Sequence, residues 1–483
     1  MNRRDFLRAA ALAGGAAALT PETLWAAAAS DWTLGFADVE TDIAPTRLTR
    51  IHGRAPVDLR GVLFRNGPGK FRRPGGSVQH WFDGDGLVRR FTLDEGQATL
   101  SARFVDTPKR RADTAANAMI TPGFGTAAGP GAIVSSPDSA NAANTAVMMA
   151  GGELWALWEP GSPTVLDPTS LATKGPKVLR PDLAGMPFLA HPRREPGGRT
   201  WNLGFAGSRA VVWRLAADGA LEDAQLIDLP RASYVHDFTA TARHLVIVLQ
   251  PWVQTRAVIP YASGLEWKPQ MGTQVVVLDK ADLSRRRVFE LPPFFFFHLG
   301  DAWEDAGGAI RFDACIDDNP DGTAINGEKL LKGQMIAGVA PPRLALIALH
   351  ADGKAEMTRL DSVAEFPRGD PRFAGLDRRY SVHATVGSPD RPVFQGVAVH
   401  DWKREREARF VFGPRHLVEE MVFVPRPGSS AEFDGWLVGT SVNLDARATE
   451  LHVLDARRVE DGPLVTWRAN QALPMTFHGA FAA

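Results

Sequence analysis

From about residue 31 onward the chain alternates short apolar runs with turn-forming residues. Segments 61–65, 210–215, 244–250, 273–278, 344–350, 408–412 and 435–441 are rich in Val, Leu, Ile, Ala and aromatic side chains, and each is short enough for one strand. Asn66-Gly67, Asp83-Gly84, Asp85-Gly86, Asp218-Gly219 and Asp352-Gly353 read as turns, because Gly accepts the positive φ of tight hairpins. No long window of the mature part carries a capped 3.6-residue period, so helices are not expected to shape the fold. No Ser/Gly linker divides the chain and no strict repeat is visible. The pattern predicts one all-β domain of several sheets.

Composition narrows the chemistry. The 54 basic and 55 acidic residues nearly cancel, and no basic run stands apart, which argues against nucleic acid as a partner. Glycine (46) and proline (35) are plentiful, as many tight turns require. A single cysteine, Cys315, excludes an intrachain disulfide and a multi-thiolate zinc site. Metal chemistry must therefore rest on His, Asp or Glu. The first 29 residues stand apart: Arg3-Arg4, then Asp5-Phe6-Leu7, an Ala/Gly/Leu stretch and small residues at 26–29. Twin arginines, a weakly apolar middle and a small-residue end form a Tat-type export signal. The expectation is a periplasmic protein whose mature domain covers 31–483.

Four of the 12 histidines have distinctive settings. His191 follows Phe188-Leu-Ala, and His236 opens His-Asp-Phe. His298 closes the run Phe294–Phe297, and His478 follows Pro474-Met-Thr-Phe. Their spacings are 45, 62 and 180 residues, so none pair as on a helix. The last two match one and three units of about sixty residues, as ligands on separate propeller blades facing one axis would give. Taken singly, a histidine among aromatics is an ordinary core residue. Imidazole ligands suit zinc, copper, nickel and iron alike, so spacing does not choose a metal.

The flanking text resembles the carotenoid cleavage oxygenase family. Phe64-Arg-Asn-Gly-Pro68 and His80-Trp-Phe-Asp-Gly-Asp-Gly86 are similar to its opening signature. Leu157-Trp-Glu-Pro-Gly161, His236-Asp-Phe, Glu365-Phe-Pro367, Glu420-Met-Val-Phe-Val-Pro425, Asp434-Gly-Trp436 and Phe477-His-Gly479 follow in family order. The resemblance implies a seven-bladed β-propeller with loops capping an axial metal site. It implies one iron(II) ion per chain, held by His191, His236, His298 and His478. Glu159, Glu365 and Glu420 stand where family glutamates accept hydrogen bonds from the liganding rings, fixing their tautomers. Thr145 matches a threonine facing the open coordination site. His80 is expected to make a structural hydrogen bond. One departure lies beside a ligand: Asp301 stands where the family usually has asparagine, which leaves the local hydrogen bonding open.

The implied activity is cleavage of a conjugated carbon–carbon double bond with O2, giving two carbonyl products and needing no protein acid or base. Hydrophobic substrate and O2 are the expected partners, with peripheral membrane contact through the 258–265 loop. Stilbene-cleaving relatives carry a tyrosine and a lysine that hold a substrate phenol; Phe104 and Trp158 stand at the matching positions here. Their absence favours a carotenoid or apocarotenoid over a stilbenoid. A non-catalytic propeller that binds a hydrophobic ligand is the remaining alternative.

Overall fold

The computed structural model describes residues 31–334, 336, 338–387 and 393–483. The export-signal segment lies outside them. Seven antiparallel sheets of four or five strands form the blades of a β-propeller. Their innermost strands, in ring order, are Gly479–Ala482, Ala146–Ala150, Arg193–Arg194, Thr239–Ala240, Phe295–Glu304, Glu365–Arg368 and His416–Pro425.

Both chain ends close the ring. The C-terminal strand Gly479–Ala482 pairs with Gly61–Lys70, placing Arg65 opposite Gly479. The early strand Thr49–Gly53 instead completes the last blade by pairing with Pro463–Arg468. The first and seventh blades thus each mix residues from the two ends of the chain.

Neighbouring blades pack face to face, and this explains the apolar runs. Val246 and Val248 join Val275, Phe296, Phe312 and Ile347 between the fourth and fifth blades. Leu245, Ile247 and Leu249 of the same strand point the other way, against Leu203 and Val212 of the third. A strand buried on both faces reads as a continuous apolar run rather than an alternating one. At 20–33 cal/mol per Å2 of apolar surface, such inter-blade packing is the main stabilising term.

Two expected turns are not turns. Asn66-Gly67 lies inside Gly61–Lys70, opposite Val88 and Leu87, and Asp85-Gly86 begins the partner strand Asp85–Asp94. Asn66 is buried, and its amide donates to the carbonyls of Ala143 and Ala146 at 3.0 Å each. A Cβ on Gly86 would fall 2.3 Å from the Ala143 carbonyl oxygen. These glycines permit close backbone approach rather than a change of direction. Asp218-Gly219 and Asp352-Gly353 do sit between paired strands.

Two short helices, Pro108–Ala115 and Thr323–Leu331, escaped the sequence reading because each is only about two turns long. Both belong to the cap over one end of the propeller, and the 80–86 signature fastens it. His80 Nε2 lies 3.1 Å from the carbonyls of Thr323 and Ala324, at the start of the second helix. Asp83 accepts from the backbone of Phe124, Gly125 and Thr126. Asp85 and Asp113 each bond Lys109 at 2.8 Å, and Arg73 reaches Asp85 at 2.7 Å.

Burial alone would raise the Asp85 carboxyl, but Lys109 and Arg73 outweigh it and hold its pKa below the usual value. A depressed carboxyl stabilises the fold above its unfolded pKa, and that share is lost as pH falls through the lowered value. Lys109→Met leaves Asp113 without its cation and Asp85 with one. The expected cost is about 3–5 kcal/mol near pH 7, shrinking toward pH 4 as the buried Asp85 carboxyl, left with one cation instead of two, takes up a proton. Chemical denaturation at both pH values measures this; an equal loss at each would contradict it.

Candidate metal centre

Each histidine gap spans whole blades, 45 and 62 residues being one step each and 180 residues three, so the step is less regular than a sixty-residue unit. His191 precedes the third inner strand, His236 precedes the fourth, and His298 lies within the fifth. His478 immediately precedes Gly479–Ala482, the inner strand of the first blade. The gap of 180 residues therefore spans the sixth and seventh blades.

The four rings converge. Nε2 of His191 lies 3.0 Å from Nε2 of His236, which lies 3.3 Å from Nε2 of His298. Nε2 of His298 is in turn 3.0 Å from Nε2 of His478. Two imidazole nitrogens each about 2.1 Å from one ion, at a right angle, would stand about 3.0 Å apart. Among the described residues, no other group of His, Cys, Asp and Glu side chains meets the geometry of a metal site. Burial and neighbouring rings hold the His191 and His298 pKa values well below the ordinary imidazole value, and burial brings His478 to about 3. Neutral rings are what a metal needs. At His236 burial also lowers, but Glu159 outweighs it and the net shift is upward.

Three rings have a carboxylate behind them. Nδ1 of His236 bonds Glu159, Nδ1 of His298 bonds Glu365, and Nδ1 of His478 donates to Glu420 at 2.9 Å. Glu365 and Glu420 sit on the sixth and seventh inner strands, and Glu159 follows Glu153–Leu157 of the second blade. The ring of blades is thus complete: four supply histidines and three supply glutamates. A carboxylate on Nδ1 fixes the tautomer that leaves Nε2 free for a metal. Glu365 also accepts from the backbone of Phe366 at 2.6 Å. Phe366 reaches that position with φ 56°, a left-handed conformation costly for a bulky residue. Burial raises the Glu365 carboxyl to about 7.

Three arginines that the motifs did not single out lock this arrangement, Arg65 fully buried and Arg193 and Arg368 half-buried. Arg65 donates to Glu420 at 2.8 Å and to the carbonyl of Phe477 at 3.2 Å, gripping the segment that carries His478. Arg368 meets Glu420 from the other side at 2.7 Å. Burial would raise the Glu420 carboxyl, yet Arg368, His478 and Arg65 together hold it well below its usual value. Arg193, two residues after His191, forks onto Asp237 at 2.7 and 2.8 Å and reaches the Leu299 carbonyl at 3.0 Å. It ties three histidine segments together. Asp301 faces the same guanidinium at 3.4 Å, so an acid there forms an ion pair that a neutral asparagine could not. Arg65 and Asp237 both lay inside the quoted motifs, but nothing local to either names its distant partner.

The rings of His236, His298 and His478 line a cavity of about 710 Å3 whose wall includes Phe82, Phe124, Phe297, Phe366 and Phe477. Thr145 lies in this wall, and its carbonyl accepts from the backbone of His478 at 3.2 Å. Trp158 lines the cavity as well. Phe104 does not: it packs in the first-blade core with the Arg110 guanidinium 4.5 Å above its ring. The side chain at 104 therefore does not bear on the choice between a polyene and a stilbenoid. A hydroxyl at that position would reach the first-blade core rather than a ligand.

Comparison with known proteins agrees with the geometry. The family described as retinal pigment epithelial membrane protein, RPE65, matches residues 36–483. An apocarotenoid-15,15'-oxygenase of Synechocystis sp. is 30% identical over 465 residues, covering 89% of this chain and 92% of the relative. An isoeugenol monooxygenase of Pseudomonas putida is 27% identical, covering 90% and 96%. The crystal structure of the cobalt-substituted Synechocystis apocarotenoid oxygenase superposes with a TM-score of 0.84 at 26% identity, over 94% of this chain and 98% of that one. This chain belongs to the retinal pigment epithelial membrane protein family, the carotenoid cleavage oxygenases.

Proposed function

We propose that the protein is a non-haem iron(II) dioxygenase that cleaves a conjugated double bond of a carotenoid or apocarotenoid with O2, giving two carbonyl products. The observation that carries this is four converging imidazole nitrogens, three of whose rings line a largely apolar, aromatic-walled cavity. His191, His236, His298 and His478 would hold the ion, with Glu159, Glu365 and Glu420 orienting three of them. Bound iron(II) supplies the redox chemistry that lets dioxygen react with a double bond. The chain's own part is physical. Neutral rings accept a divalent ion without adding charge, and Arg65 and Arg368 keep Glu420 ionised behind His478. The aromatic wall excludes water and lays an extended apolar substrate along the site. Thr145 stands beside the His478 segment, where it would limit access to one side of the ion.

A stilbenoid or phenylpropanoid substrate is the second reading, favoured by the similarity to an isoeugenol monooxygenase. Trp158 argues against it, since an indole supplies neither the charge nor the reach of a lysine toward a phenolate. Aerobic incubation of the iron-loaded protein with apocarotenoids and stilbenes, followed by product mass spectrometry, separates the two. Two carbonyl fragments from the polyenes, abolished in His236→Ala, are expected. Fragments from stilbenes alone would reverse the choice, and undiminished activity in His236→Ala would refute the site.

Export through the twin-arginine signal is part of the same proposal. Val258 and Ile259 are exposed at the cavity rim, where an apolar substrate could pass from a membrane. Cell fractionation should find the protein in the periplasm, partly with membranes, and changing Arg3 and Arg4 together to lysine should retain it in the cytoplasm. Cytoplasmic location of the unaltered chain would refute export.

A further inference from the structure

The chain has 26 phenylalanines but three tyrosines, and two of those, Tyr234 and Tyr261, line the cavity. They flank Phe124: its ring lies 5.8 Å from Tyr234 and 6.3 Å from Tyr261, and the two tyrosine rings are 6.2 Å apart. The Tyr234 hydroxyl is engaged, 3.3 and 3.4 Å from the oxygens of Glu159 and 3.3 Å from Nδ1 of His236. No side chain or backbone group among the described residues bonds the hydroxyl of the half-buried Tyr261, which lines the cavity. Its backbone is nonetheless fixed: Tyr261 N donates to Gly123 at 3.3 Å and Ala262 N to Phe124 at 2.8 Å.

A phenylalanine would fill the same space without bringing a polar group to an apolar wall. A donor in such a wall that no protein group engages is free to bond a polar group of a ligand, and a ligand that covers it without accepting leaves it unpaired at a cost. We infer that the Tyr261 hydroxyl is a specificity subsite that donates a hydrogen bond to a neutral oxygen, hydroxyl or carbonyl, on the substrate. Burial and the nearby Glu159 carboxylate raise the Tyr261 phenol to about 12, so it stays a donor throughout the physiological range. The same carboxylate disfavours an anionic oxygen in its neighbourhood. Alcohols, aldehydes and ketones therefore fit the subsite, and carboxylates and phenolates do not.

This inference rests on the proposed function, and its test keeps the two separable. Iron-loaded wild type and Tyr261→Phe are compared on a polyene bearing a terminal alcohol and on the matching hydrocarbon. Anaerobic binding is followed by tryptophan quenching, and cleavage is followed in air. Loss of one neutral hydrogen bond should weaken binding of the alcohol about three- to tenfold and leave the hydrocarbon nearly unchanged. A polyene carboxylate should bind wild type more weakly than the alcohol does. Equal effects of Tyr261→Phe on alcohol and hydrocarbon, or none on either, would overturn the subsite while leaving the cleavage reading intact. Failure of wild type to bind or cleave any polyene would overturn both.

Discussion

An imidazole that gives Nε2 to a metal must place its Nδ1 hydrogen somewhere, and here that place is a carboxylate in three cases of four, two of them buried. This constraint organises the centre of the molecule. A carboxylate cannot remain ionised in an apolar interior without compensation. Glu420 meets the requirement with two guanidiniums and a backbone N–H of Gly479 at 2.8 Å. Glu365 meets it less completely, with a backbone N–H and a ring, which is why burial moves its pKa so far up.

The propeller suits this task because it brings seven inner strands to one axis without requiring any of them to be neighbours in sequence. Each blade contributes one position, and a shift of one residue along an inner strand would turn a ligand into the wall between blades. Arg193 and Arg65 keep the segments in register by bonding backbone carbonyls as well as carboxylates. The same strands are held from behind by inter-blade packing, so the site rests on the most buried part of the fold.

Much of this was legible in the sequence. The apolar runs located middle strands such as His244–Leu249, because a strand buried on both faces cannot hide its composition. Histidine spacing reflected whole blade steps, and the motifs around His236 and His478 belong to the four of 12 histidines that the fold brings together. Less legible was anything that depends on approach between distant segments. Asn66-Gly67 resembles a hairpin turn until the crossing segment near Thr476 is seen, where a Cβ on Gly67 would lie 2.6 Å from its Cα. Phe104 looked like a cavity residue by position and proved to be core. Arg65, Arg193 and Tyr234 carry no local pattern that distinguishes a bonded buried polar group from an exposed one; only the fold supplies their partners.

The central claim is that four histidines, and no other side chains, bind one metal ion per chain. X-ray absorption spectroscopy of the stoichiometrically iron-loaded protein tests it most directly. The account predicts a first shell with four imidazole nitrogens at about 2.1 Å, with any further light ligands from solvent. A shell containing the Glu365 or Glu420 carboxylate, or fewer than four imidazoles, would contradict it.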